Sequence, residues 1–200
     1  ANGVHLCAEH LDTQAMQVLD PTLLLKTEDY ERLVHEQDEP TSPGTLFCYL
    51  LDRSPETAFF KQALERGLGL TAFEVMPRAI GMQRPDVPIE SRIYPRVTQW
   101  LRAFIDAQAV LTDSFHGCAF AILFNRPFVV IGNQRRGQAR FQSLLSTFGL
   151  EERLVLTGKA DDITVCMKRP IDWADVNLRL SEWRTLSMDF LRNALNADRK

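Results

Sequence analysis

Three short apolar runs, "LFCYLLD" from Leu46, "AVLTD" from Ala109 and "PFVVIG" from Pro127, are each followed by a stretch of helical character. Runs this short and this uniformly apolar suit strands buried on both faces, because a strand with one wet face would alternate polar and apolar residues. The intervening helices carry their own signals. "SPETAFFKQALERGLG" offers Ser54 as N-cap, Pro55 in the first turn and a glycine stop, the asymmetry typical of helix ends. "TAFEVMP" reads as a further strand, "RVTQWLRAFIDAQ" as an amphipathic helix, "SFHGCAFAILFN" as a short apolar helix and "ARFQSLLSTFGL" as another helix. Strands alternating with helices of this length predict βαβ units and a parallel sheet with helices on both faces. The expected fold class is therefore α/β, a Rossmann-like domain from about Thr45 to about Arg169.

The flanks are less regular. "GVHLCAEHL" has helical spacing, "MQVLDPTLLL" is expected to form a short strand ending in a turn, and "TEDYERLVHEQ" a helix with Thr27 as its N-cap. "DEPTSPGT" is the best linker candidate, and "RAIGMQRPDVPIESRIYP" reads as a loop. A polar stretch after "ERLV" leads into a long amphipathic terminal helix, "DWADVNLRLSEWRTLSMDFLRNALNAD". Trp100, Trp173 and Trp183 lie in amphipathic helices and are assigned to packing.

At 200 residues and 45% hydrophobic content the chain can bury a sizeable core. A net charge of −3 leaves no basic footprint for nucleic acid. Yet Arg126, Arg135, Arg136 and Arg140 fall close together, a local cluster that suits a small anion better than a polyanion. The four cysteines are widely spaced, with neither a CxxC pair nor metal-ligand spacing, which favours a reducing cytoplasm and no disulfide framework. No apolar run reaches the roughly 18 residues of a membrane span. The sequence begins in mid-pattern at "ANGVHLCAEHL", as expected of a piece of a longer protein.

In open α/β sheets, ligands bind outside the carboxyl ends of the strands. "AVLTD" ends at Asp113, so Asp113, Ser114 and His116 stand on that rim, at the start of a helix whose unpaired N–H groups attract phosphate or carboxylate. Gly117 would let a ligand approach the helix backbone closely, and His116 can give and take protons near neutral pH. A second rim follows "PFVVIG": Gly132, Asn133 and Gly137 make a turn, and Arg135, Arg136 and Arg140 can fork onto oxyanions. The plainer alternative remains open at this point, with Asp113 or Ser114 merely capping the helix and the arginines solvated. Neither rim contains GxGxxG or GxxxxGK[ST]. Asp52, at the end of the first strand, is either a third rim residue or part of the next helix start.

The block "VLTDSFHGCAFAILFNRPFVVIGNQRRGQARFQSLLSTFGLEERLV" resembles the signature region of bacterial polysaccharide pyruvyl transferases. "VLDPTLLL", "EDYERL", "LFCYLLD", "VTQWLRAFIDAQ" and the "IDWADVN" and "RTLSMDFLRNAL" pieces of the tail fit as well, so the likeness covers nearly the whole chain. It implies a GT-B-like protein of two Rossmann-like halves around a cleft. Residues 1–40 would end the N-terminal half, 41–175 would form the C-terminal half, and 176–200 a helix packing back toward the first. The implied activity is transfer of the pyruvyl unit of phosphoenolpyruvate to a saccharide or lipid-linked saccharide of a cell-envelope, capsular or exopolysaccharide precursor. Phosphoenolpyruvate would be the donor substrate, with no cofactor, in the bacterial cytoplasm and at the inner face of the membrane. By this resemblance His116 and Asp113 are the candidate catalytic residues, and Ser114, Gly117, Asn133, Arg135, Arg136 and Arg140 the donor and anion contacts. One departure is visible: several branches carry an arginine two residues before the histidine, where this chain has Ser114. A nucleotide-sugar glycosyltransferase and an inactive sugar-phosphate-binding module are the alternatives.

Overall fold

Successive side chains of a strand point to opposite faces, and the apolar runs divide accordingly. The structure, a computed structural model, describes residues 2–77, 88–132, 138–156 and 160–197. Among them five strands, β1 (Leu46–Tyr49), β2 (Ala72–Phe73), β3 (Ala109–Thr112), β4 (Phe128–Ile131) and β5 (Leu154–Val155), form one parallel sheet in the order β2-β1-β3-β4-β5. The helices are α1 (Asn2–Leu11), α2 (Thr27–Glu36), α3 (Pro55–Leu68), α4 (Val97–Asp106), α5 (Phe115–Leu123), α6 (Ala139–Phe148), α7 (Ala160–Lys168) and α8 (Trp173–Ala197). Phe47, Val110, Phe128 and Val130 face α4, α5 and α6, whereas Leu46, Cys48, Leu111, Val129 and Ile131 face α3 and α7. Both faces are thus covered, and the Rossmann-like α/β architecture is as the alternation predicts.

Helix α3 follows its sequence signals closely. Ser54 caps it, its hydroxyl accepting the Thr57 N–H, and Gly69 ends it at φ 66°. Elsewhere the structure corrects the sequence expectations. "MQVLDPTLLL" forms no strand: Asp20 caps a 3-10 turn over Pro21–Leu23, and Pro21 cannot donate to a sheet. Thr27 is the first residue of α2 and Lys26 its cap, while the Thr27 hydroxyl donates to the Leu123 carbonyl at 3.0 Å. The linker candidate is held down, since the Ser42 N–H donates to Asp106 at 2.7 Å and the Thr98 hydroxyl to Glu39. The polar stretch after β5 contains α7, which lies beside α3. Arg153, fully buried, fastens α7 by donating to the carbonyls of Cys166 (2.9 Å) and Arg169 (2.6 Å), where a helix end attracts a cation.

The chain leaves β1 toward α3 and leaves β3 toward α5, on opposite faces of the sheet. Between these neighbouring strands lies the crevice where such folds bind ligands. Asp113, 2% exposed, bridges it: its carboxylate accepts the N–H groups of Leu51 (2.7 Å) and Asp52 (2.8 Å). Thr112 adds a second stitch, its hydroxyl donating to the Tyr49 carbonyl (2.8 Å) and accepting the Ser114 N–H (3.0 Å). Gly117 packs the first turn of α5 against these strands. A Cβ there would lie 2.2 Å from Thr112 Oγ1 and 3.1 Å from the Tyr49 ring. The glycine therefore serves close packing of helix on sheet, where the sequence suggested an approach path for a ligand.

Two substitutions test this stitching by urea denaturation. Gly117→Ala is expected to destabilise the fold by about 1–3 kcal/mol, the usual cost of overpacking. Asp113→Asn, which turns an amide donor toward backbone donors, should cost about 1–3 kcal/mol. Wild-type midpoints for both would contradict the account.

Candidate functional site

Helix α5 begins at the carboxyl edge of β3 because Ser114 takes extended backbone (φ −104°, ψ 136°) and its hydroxyl accepts the Gly117 N–H at 3.4 Å. Of the two cap candidates it is therefore Ser114 that caps, and it is buried. His116, one residue into the helix, is turned outward with its side chain 52% exposed. Its Nε2 lies 3.9 Å from Asp20 Oδ2. The other carboxylate oxygen of Asp20 accepts from the backbone N–H (3.0 Å) and hydroxyl (2.7 Å) of Thr22, which orients the group.

Asp20 was no part of the sequence-derived site, and it arrives there through α8. The Leu19 N–H donates to the Ser187 hydroxyl at 2.9 Å, and that hydroxyl donates to the Trp183 carbonyl at 2.7 Å. Arg184 donates to the carbonyls of Leu23 (2.9 Å) and Leu25 (3.0 Å). The terminal helix thus clamps the segment on both sides of Asp20. A sequence signal did exist in "LDP", an aspartate just before a proline, which marks a turn or helix start.

Phe115 separates His116 from the arginine side of the site. Its ring meets the imidazole edge-on at 5.6 Å, and the Arg140 guanidinium carbon lies 4.4 Å from its centroid. A ring beneath it holds a guanidinium in place while its N–H groups, which lie in the guanidinium's own plane, remain accessible to an anion. Arg140, in the first turn of α6, makes no ion pair among the described residues. It shares an open cleft of about 450 Å³ with Asp20, Gln17, Phe115, Ser143 and Thr147.

His116 itself lines a second cavity, of about 480 Å³, walled by Tyr30, Tyr49, Tyr94, Trp100 and Phe120. Burial, followed by the nearby charges of Asp113 and Tyr94, raises the pKa of the Tyr49 phenol. Tyr49 is therefore an O–H donor across the neutral range.

The remaining expectations sort as follows. Asp113 belongs to the crevice, but its oxygens serve the backbone of residues 51 and 52, so it acts on the site through the loop it holds. Asn133, Arg135 and Arg136 lie outside the described residues. Arg126 leaves the arginine cluster: it donates to the carbonyls of Phe104 and Ile105 at the end of α4. Cys48 and Cys118 are fully buried, which pushes both thiols up, that of Cys48 to about 12, far from a nucleophilic range. Among the described residues no group of three His, Cys, Asp or Glu side chains could hold a metal ion. No described helix is long and apolar enough to cross a membrane.

No curated protein and no solved structure gives a significant match to the chain. A family profile described as polysaccharide pyruvyl transferase matches residues 7–135. The matched span runs through the Asp20 segment, both stitched strands and His116, and it covers more than half of the 200 residues. The chain belongs to the polysaccharide pyruvyl transferase family.

Proposed function

We propose that this protein transfers the pyruvyl unit of phosphoenolpyruvate onto a saccharide of a cell-envelope, capsular or exopolysaccharide precursor, forming a pyruvate ketal. The observation that carries the proposal is the row Asp20, His116, Phe115, Arg140 along the rim of the sheet, with a proton-carrying ring next to a cation poised for an anion. Family membership supports the reaction class. In the GT-B-like arrangement that the resemblance implies, this chain supplies the C-terminal half and a partner half faces the same rim.

The donor is an enol phosphate with a carboxylate, so it needs a cation, a proton for its methylene carbon and an acceptor oxygen. Arg140 offers charge and forked N–H donors to the phosphate or carboxylate, and the first turn of α5 adds partial positive charge. Because Asp20 lines the same cleft, the anion is repelled from that wall and drawn toward Arg140. The methylene carbon then faces His116. Imidazolium gives its proton to this carbon, which becomes the methyl group, and the adjacent carbon turns electrophilic. A sugar hydroxyl forms a C–O bond there and loses its proton to the imidazole. The C–O bond to phosphate breaks, and a second hydroxyl closes the ketal, its proton leaving with the phosphate. Two hydroxyl protons are lost in all, one to the methyl group and one to phosphate, so the step balances.

Asp20 is assigned a positioning role. A carboxylate 3.9 Å from one ring nitrogen favours the ring orientation that the first step needs. The serine at position 114 is compatible with this scheme because Arg140 supplies the cation from the facing rim.

The test is phosphate release by the full-length protein from phosphoenolpyruvate and acceptor saccharide. His116→Ala should lower kcat by about 100-fold or more, in line with lost proton transfer. Arg140→Ala should instead raise KM for phosphoenolpyruvate by about tenfold. Both side chains are exposed, so the fold should be retained. Turnover of a nucleotide sugar with no use of phosphoenolpyruvate would overturn the proposal. Asp20→Asn is expected to reduce kcat by about tenfold with little change in KM, as when an imidazole loses its orienting carboxylate. Equal loss in both constants, or none, would remove Asp20 from the site.

A further inference from the structure

The cavity that His116 lines and the cleft beyond Asp20 and Phe115 differ in chemistry. The cleft shared by Asp20 and Arg140 is charged. The other contains no lysine or arginine among its described lining residues, and His116 is the one basic side chain among them. Its wall is built of rings: Trp100 meets Tyr49 edge-on at 5.3 Å and Phe120 at 4.8 Å, and Tyr94 stands at the rim, 67% exposed. A small, trianionic donor has nothing to hold it in such a place. Ring-lined cavities with a few polar groups at their edge select neutral molecules with a flat apolar face.

We infer that the aromatic cavity beside His116 binds a pyranose ring of the acceptor, so that donor and acceptor approach the histidine from opposite sides. A pyranose has the matching shape. Its axial C–H bonds make an apolar face for the Trp100 and Tyr49 rings, and its hydroxyl edge is left for His116 and the phenol groups of Tyr49 and Tyr94. The phenol of Tyr49 stays protonated and so can donate to a sugar oxygen. Aromatic rings supply this contact with little loss of rotamer freedom. The assignment of the ring as an acceptor rests on the pyruvyl-transfer reading. The assignment of the cavity to a sugar does not. It also separates the substrates: the charged cleft takes the anion and the ring-walled cavity takes the neutral partner, while the imidazole lines the second and borders the first through Asp20 and Phe115.

Two exposed rim positions allow a test that spares the core, Tyr94 and Leu33, the latter 41% exposed on α2. Saturation-transfer NMR is run with methyl β-glucoside, methyl β-galactoside and methyl β-mannoside on the full-length protein. At least one glycoside should receive saturation from aromatic protons, most strongly at its ring C–H protons. Tyr94→Ala should weaken that transfer by about threefold to tenfold, the worth of one aromatic contact, and Leu33→Trp, which fills the cavity, should abolish it. Inorganic phosphate should not compete. No transfer from any of the three glycosides would overturn the inference, as would transfer untouched by both variants. Binding of octyl phosphate in their place, lost in Leu33→Trp, would also overturn it by assigning the cavity to an acyl chain. Glycoside binding without phosphate release from phosphoenolpyruvate would leave the cavity assignment standing and sink the pyruvyl reading alone.

Discussion

The site depends on one buried carboxylate. Asp113 directly follows β3, yet its two oxygens accept the N–H groups of residues 51 and 52 just after β1, and this closes the crevice where the sheet reverses its winding. Backbone donors at a strand end need partners once water is excluded, and a carboxylate supplies two at once. With the loop after β1 held, Tyr49 is fixed by Thr112, and Gly117 can press α5 against both strands. His116 is then delivered outward from a rigid first turn. A histidine on a mobile loop would have no such aim.

The second constraint comes from the far end of the chain. Helix α8 takes hold of the Asp20 segment through Ser187 and Arg184. The carboxylate beside His116 is therefore placed by an element that contributes no side chain to the site. This coupling links the integrity of the terminal helix to the surroundings of His116. It also explains why an extended, strand-like sequence around Leu19 is not a strand: its backbone is bonded to a helix side chain instead of a neighbouring strand.

Much of the fold was legible in the sequence because its signals are local. The caps of α3, the uniformly apolar strands and the position of "DSFHG" at a strand's carboxyl end follow from residues within a few positions of one another. What stayed hidden depends on contacts between distant segments. Asp20 and His116 lie far apart in sequence, and no spacing rule links them. Arg126 and Arg140 look alike in the sequence, but one caps α4 through its carbonyls and the other rides on Phe115. Helix α7 was missed because its first turn is polar and its buried apolar residues, Ile163, Cys166 and Met167, are few. The role of Gly117 was misjudged since only the structure reveals Thr112 in the space its side chain would fill.

The picture that emerges is an imidazole that lines a ring-walled cavity and borders a charged cleft through Asp20 and Phe115, held from below by the sheet and from the side by a carboxylate. Its central claim is that the cleft beside Arg140 holds the donor with its methylene carbon toward His116. A crystal structure of the full-length protein with phosphoenolpyruvate bound would test this most directly. The account predicts a donor oxyanion within about 3 Å of the Arg140 guanidinium and the methylene carbon facing the His116 ring. Phosphoenolpyruvate seated in the aromatic cavity, or bound away from both residues, would contradict it.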